Sequence, residues 1–412
     1  MPRPHSSLLA LALLALVLPE GVAAQEPLTL TQAVERAATL GPAAQAAAGT
    51  RAVIVGRARA DAQFANPMLE IRRENEGAPI PYDDFITLTL PVSVTGRRFA
   101  LRDALAAART RADADSLAVI RGAQHGAARA WWEAWVAGEQ LRAARAQSER
   151  FSELARFDSL RAAEGAVAEA AALRTRLEAD RAAYAAATAV AHEARSRGSL
   201  AALLGLDDPA ALVLGAPDFA VATASLPGDA AAMDEALASR PDVLAARAAA
   251  EEAERRRTAE RRNTLPDVGL SGGYKGTGGY STAQFGVILT PPLLNANGGA
   301  RERAFGEWLL ADADRRATEL RASADVRAAL VAARAMDDAL GGLDATRLAQ
   351  ADEVAAAAEA SYREGAATLT ETLEALRAVT DLRLATLRAL ADRALVRLDL
   401  RRALGASPVE MP

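Results

Sequence analysis

Two kinds of hydrophobic spacing alternate along the chain. Asp84, Ile86, Leu88 and Leu90 fall on one side of an extended segment while Phe85, Thr87 and Thr89 fall on the other, the period of two expected of a strand with one apolar face. Val268, Leu270 and Tyr274 alternate in the same way with Gly269, Ser271 and Gly273, and Phe285, Val287 and Leu289 alternate with Gln284, Gly286 and Ile288. Turn formers at Gly77-Ala78-Pro79 and Gly276-Thr277-Gly278-Gly279 separate the strands of each pair. The pattern predicts two strand pairs, over about 66–93 and 266–292, and thus four strands of about ten residues each.

Almost everything else has helical spacing and is written in Ala, Leu, Arg and Glu, the strongest helix formers. From Arg98 to Ala163 there are 66 residues without a proline, a rod of roughly 100 Å at about 1.5 Å per residue. In the last helical stretch Leu373, Leu384 and Leu395 lie eleven apart, as do Leu376, Leu387 and Leu398. An 11-residue period keeps an apolar seam along a nearly straight helix. Alanine flanking the seam lets neighbouring helices approach closely enough to form a curved wall.

The elements also repeat. Gly41-Pro42 recurs as Arg240-Pro241 and Pro67 as Pro266, 199 residues on. The offset is 200 for Pro91 and Pro291, for Glu164-Gly165-Ala166 and Glu364-Gly365-Ala366, for Leu173 and Leu373, and for Leu204-Gly205 and Leu404-Gly405. This is the signature of a tandem duplication, with repeat one over about 25–206 and repeat two over about 229–405. Each repeat reads as a helix, two strands and two very long helical stretches broken near Glu-Gly-Ala.

Arg3, the apolar run from Leu8 to Leu18 and the small residues Val22-Ala23-Ala24 before Gln25 form a secretory signal over 1–24. Eleven apolar residues are too few for a membrane-spanning helix, and no later stretch reaches the length one requires. A membrane-embedded mature chain would therefore need a closed β-barrel, which is a structure of outer membranes. Four strands cannot close one, since the smallest membrane barrels have eight; three copies would supply twelve. The competing arrangement is a pair of soluble hairpins capping a helical bundle.

Composition narrows the chemistry. There is no cysteine, so disulfides, thiolate metal sites, thiol nucleophiles and a lipid anchor after the signal are excluded. The net charge of -5 carries no basic excess to attract nucleic acid. His125 and His192 lack metal-ligand neighbours at helical spacing, so no metal or cofactor is expected. The glycine-rich run from Gly269 to Gly279 has no following Lys-Ser or Lys-Thr and is no phosphate loop. Trp131, Trp132 and Trp135 lie within about one helical turn and are expected to pack against a neighbouring helix. With no Ser-His-Asp arrangement in view, an enzyme is not expected.

Over the whole mature length the sequence resembles the TolC-type outer membrane factor family. The resemblance rests on the duplicated plan, on Pro91 and Pro291-Pro292 closing the strand pairs, and on Tyr362-Arg363-Glu364-Gly365 followed by Thr368, Glu371, Leu373 and Glu374. The turn Thr95-Gly96-Arg97-Arg98 is similar to that of the heavy-metal cation branch. The resemblance implies a mainly α homotrimer in which a twelve-stranded β-barrel in the outer membrane continues into a twelve-helix α-barrel crossing the periplasm. It implies work as a passive exit duct for small solutes, with a periplasmic adaptor and an inner-membrane transporter of resistance-nodulation-division type. By the same comparison, residues 207–228 and the C-terminal tail would form an equatorial region.

Site residues follow from the resemblance. Glu164, Gly165 and Ala166, with Glu364, Gly365 and Ala366, match hairpin tips where the adaptor docks, although family members often have an apolar residue where the two glutamates stand. Glu371 and Glu374 match acidic positions that narrow the periplasmic entrance. Three apart on one helical face, they would form two rings of three carboxylates in a trimer, favouring cations and raising some carboxyl pKa values by crowding. Ile86, Leu88, Leu90, Val268, Leu270, Phe285, Val287 and Leu289 are the expected lipid-facing positions. Two other functions fit the same pattern: the outer component of type I protein secretion, and a soluble periplasmic helical scaffold.

Overall fold

A computed structural model describes residues 27–75, 77, 82–92, 94–217, 225–264, 267–291, 296–340 and 345–409. The signal segment, Ala78, Pro79, Pro266 and Pro292 lie outside the described residues. The chain begins with α1 (Leu30–Thr39) and α2 (Pro42–Ala62), then β1 (Met68–Glu74) and β2 (Asp83–Val92), then the long helices α3 (Arg97–Ala163) and α4 (Glu169–Leu204). The second half follows the same order: α5 (Asp229–Ser239), α6 (Pro241–Arg262), β3 (Asp267–Thr277), β4 (Tyr280–Thr290), α7 (Gly298–Leu340), α8 (Ala345–Arg363) and α9 (Leu369–Leu404).

The single helix expected before each strand pair is two helices. Pro42 and Pro241 stand at the first position of α2 and α6, where the missing N–H costs nothing, while the preceding residue is driven into extended backbone. α1 starts with a capping box, Thr29 Oγ1 accepting from Gln32 N and Gln32 Oε1 accepting from Thr29 N. Each half closes on its own joint. Gly205 and Gly405 end α4 and α9 in left-handed backbone at φ 65° and 78°, and Gly405 lies so close to the α5–α6 joint that a Cβ would come within 2.7 Å of Arg240 Cα.

Packing is alanine-rich, and bulk is concentrated where elements cross. Trp131, Trp132 and Trp135 join Ala33, Ala37, Leu200, Leu204 and Ala391 in the largest core cluster. The indoles meet edge to face at 5.5 and 6.0 Å. Trp131 Nε1 donates to the Leu28 carbonyl at 3.0 Å, fixing the segment that bridges Leu214. A second cluster packs α5 against α7 and α9 through Ala232, Val326, Leu330, Leu400 and Leu404. All six leucines of the 11-residue seam in α9 are buried or half-buried.

The four strands form one antiparallel sheet in the order β1-β2-β3-β4, with β1 and β4 at its edges. β3 is glycine-rich because its neighbours crowd it: a Cβ on Gly273 would sit 2.6 Å from the Ile86 carbonyl oxygen. Phe285 lies across Gly272, where a Cβ would meet its ring at 3.8 Å, an ordinary contact.

Candidate functional site at the hairpin tips and the sheet face

At the far end of the rods, each α-hairpin reverses through the Glu-Gly-Ala tripeptide. Gly165 and Gly365 take φ of 73° and 76°, and the N–H groups of Ala166 and Ala366 each donate at 2.8 Å to the carbonyls of Arg161 and Ser361. These are Schellman closures, which satisfy helix-end carbonyls and require the left-handed residue. A Cβ on either glycine would meet nothing within 4 Å, so backbone conformation rather than crowding selects glycine there. Glu164, Ala166, Glu364 and Ala366 frame these turns, and both glutamates are exposed.

Glu371 and Glu374 are both exposed in the first two turns of α9. Glu371 has a structural task that its spacing alone did not reveal. Its carboxylate accepts from the Thr368 N–H and hydroxyl, each at 2.8 Å, while Thr368 Oγ1 accepts from Glu371 N. Those hydrogen bonds hold the carboxyl below its ordinary pKa, the opposite direction from the rise expected of like-charge crowding. Glu374 has no such anchor among the described residues.

The two hairpins are joined by a buried polar contact. Tyr362 on α8 donates its hydroxyl to Asp158 Oδ1 on α3 at 2.7 Å, with Asp158 wholly inaccessible. Burial, then the bond to Asp158, pushes the phenol up to about 12, so it stays a donor. Arg161 stacks over Phe157 and Tyr362 at 5.3 and 5.9 Å. Phe151, Leu154, Leu373, Leu376 and Val379 surround the contact, and Arg377 of α9 reaches Glu178 of α4 at 2.5 Å. Sequence reasoning passed over Asp158. Its signal was available: Phe151, Leu154 and Asp158 follow one helical face, where a lone carboxyl among apolar positions needs a partner.

The sheet presents the second candidate surface. Directly opposed residues of an antiparallel pair share a face, and the register pairs Ile86 with Tyr274, Leu90 with Leu270, Leu270 with Val287, Gly272 with Phe285 and Val268 with Leu289. Ile86, Leu88, Leu90, Val268, Leu270, Phe285, Val287 and Leu289 therefore lie on one face. Val268 is half-buried and the other seven are exposed, Phe285 by 88%. β1 adds Leu69 and Ile71, opposite Leu88 and Ile86, which the sequence reading missed because arginines and glutamates interrupt that strand. The other face carries Glu70, Arg72, Thr87, Thr89, Ser271, Lys275, Thr282 and Gln284, with Met68, Phe85 and Ile288 among them. No helix among the described residues is long and apolar enough to cross a membrane, and no group of His, Asp or Glu among them could hold a metal ion.

Comparison with known proteins accords with this geometry. The chain is similar over 92% of its length to CusC, a protein that forms a transmembrane channel, at TM-score 0.73, 18% identity and 92% coverage of that chain. It is similar over 93% of its length to the CmeC outer membrane channel of Campylobacter jejuni, at TM-score 0.74, 17% identity and 87% coverage of that chain. The outer membrane protein VceC of Vibrio cholerae gives TM-score 0.72 and 18% identity, over 92% of this chain and 96% of that one. No curated protein sequence matches significantly. The fold is that of outer-membrane channel proteins. Residues 232–406 match the family model for outer membrane efflux proteins.

Proposed function

We propose that the chain is one third of an outer-membrane exit duct for a tripartite efflux system. The observation that carries this reading is the open four-stranded sheet. One face is mainly apolar and exposed, the other mainly polar, and β1 and β4 stand at the two edges. Unpaired edges are not tolerated in lipid, so the sheet demands further copies; three close a twelve-stranded barrel whose apolar face meets outer-membrane lipid and whose polar face lines water. The long helices then stack into a tunnel through the periplasm, at roughly 100 Å for α3 alone. The matching order of elements in the two halves supports a duplicated ancestry.

The duct is passive. Its tips at Glu164-Gly165-Ala166 and Glu364-Gly365-Ala366 dock a periplasmic adaptor, and an inner-membrane transporter of resistance-nodulation-division type supplies the energy. Glu371 and Glu374 form a cation-favouring constriction, and the cargo is small solutes, with metal cations favoured by the turn at Thr95-Gly96-Arg97-Arg98. Purified protein in planar bilayers should give discrete conductance steps with a cation preference. Replacing Glu371 and Glu374 with Ala should reduce that preference while steps persist. Steps with unchanged selectivity would remove the constriction, and no conductance under any condition would remove the duct.

A further inference from the structure

Between the two halves of the chain, a cavity of about 140 Å³ opens where α3, the start of α6 and the end of α9 meet. It is lined by Ala118, Arg121, Gly122 and His125 from α3, by Arg240, Pro241 and Asp242 at the α6 start, and by Arg402 and Gly405 from α9. Nothing in the duct reading uses it.

Its walls are unbalanced in charge. Arg240 is satisfied by Asp242 at 2.7 Å and Asp325 at 3.0 Å. Arg121 donates only to the neutral Gln124 side chain, at 3.0 Å, and neither Arg121 nor Arg402 has an acid partner among the described residues. Three arginines thus stand on the cavity wall against one acid, Asp242. Gly122 leaves that part of the wall open, since its Cβ would meet nothing within 4 Å.

His125 supplies the independent observation. It is 6% exposed, and its Nε2 lies 3.1 Å from the Ala406 carbonyl oxygen. A carbonyl only accepts, so Nε2 carries the proton, and Nδ1 is left as a buried atom without a partner on a ring that lines the cavity. A buried nitrogen left unsatisfied is destabilising. An occupant that removes that cost must donate to Nδ1 while accepting from the two guanidiniums.

We propose that this cavity binds a small oxyanion of the phosphate class, held by Arg121, Arg402 and Nδ1 of His125. Hydrogen phosphate meets both demands, with its P–OH donating to neutral Nδ1 and its other oxygens accepting from the arginines. On a liquid volume of about 30 Å³ per water, the cavity admits a tetrahedral anion with one or two waters. A fully deprotonated anion such as sulfate has no proton to give, so it requires the imidazolium, whose Nδ1–H then donates. Burial opposes that proton most, the Ala406 carbonyl favours it, Arg402 of α9 and Arg121 of α3 oppose it and Asp399 of α9 favours it; Arg240 and Asp242 of α6 stand on the same wall. A bound anion would tie both halves of the chain together at this level.

The test is calorimetric titration of the full-length detergent-solubilised protein with inorganic phosphate at pH 7.5, at constant ionic strength, with sulfate and chloride in parallel. One phosphate per chain is expected. Sulfate should bind at least tenfold tighter at pH 5.5 than at 7.5, and His125→Gln should abolish that gain. Arg121→Gln and Arg402→Gln should each weaken phosphate at least tenfold. Gly122→Met, which leaves every charge in place, should block it, while Arg402→Lys should retain measurable binding. Phosphate indistinguishable from chloride, or affinity unchanged in Arg121→Gln/Arg402→Gln, would overturn the proposal.

Discussion

Replacing Tyr362 with Phe should loosen the junction between the hairpins without unfolding the molecule. The Tyr362 hydroxyl donates to Oδ1 of an Asp158 carboxyl that has no solvent access, and Asp158 Oδ2 has no partner among the described residues. No other side chain among the described residues bonds that carboxyl. A hydrogen bond to a charged group contributes about 1.5–3 kcal/mol, and leaving a buried acceptor unsatisfied costs the same order; taking about 2 kcal/mol, local opening should become about 30-fold more frequent. Hydrogen exchange by mass spectrometry reads this directly. Peptides around 151–163 and 355–363 should exchange faster, while peptides covering Trp131 and Leu200 should not change. Asp158→Leu/Tyr362→Phe, which makes both partners apolar, should recover much of the protection, because the cost lies in the unpaired group. Unchanged exchange at the tips in Tyr362→Phe, or a loss spread evenly along the chain, would refute the reasoning.

Other outcomes follow from the same geometry. His125 is lowered to about 4 by burial, so between about 6.5 and 4 the unfolded chain binds the extra proton. Stability is then full above pH 6.5 and falls by about 3 kcal/mol as pH drops through that window; denaturant titrations in oxyanion-free buffers should show a slope that His125→Gln lacks. Glu371→Ala should lower stability by removing the N3 half of the α9 capping box while Thr368 still caps the helix, whereas Glu374→Ala should leave stability unchanged, both measured by denaturant titration. Gly365→Ala forces a side chain into left-handed backbone at φ 76° and should cost about 1 kcal/mol, read as faster exchange confined to the tip. Gly273→Val drives a Cβ against the Ile86 carbonyl and should prevent the sheet from forming, read as loss of heat-resistant oligomer on electrophoresis.

Much of this architecture was legible because long periodic segments announce themselves. The period of two at Ile86, Leu88 and Leu90, and again at Phe285, Val287 and Leu289, predicted both the strands and their shared face, since register follows from which residues must not meet water. Tip glycines were legible because only glycine takes the left-handed turn without penalty. What escaped the sequence depends on three-dimensional partners. β1 alternates too briefly, with Arg72 and Arg73 interrupting it, to reveal Leu69 and Ile71. The breaks before α2 and α6 were marked by Pro42 and Pro241, but proline at a helix start and within a helix look alike in a one-dimensional reading. Asp158 finds Tyr362 across 204 residues of chain, and His125 finds a backbone carbonyl 281 residues away. Neither distance leaves a periodic trace. Glu371 was read for its charge, while its first role is to cap its own helix.

The most direct test of the central claim is the stoichiometry of the protein extracted from bacterial outer membranes, measured by light scattering with the detergent contribution subtracted. A detergent-dependent trimer is the predicted result, since twelve strands close a barrel and four cannot. A monomer that stays soluble without detergent would contradict the account, because the apolar face from Ile86 to Leu289 would then have no lipid to meet and the edges of β1 and β4 no strand to pair with.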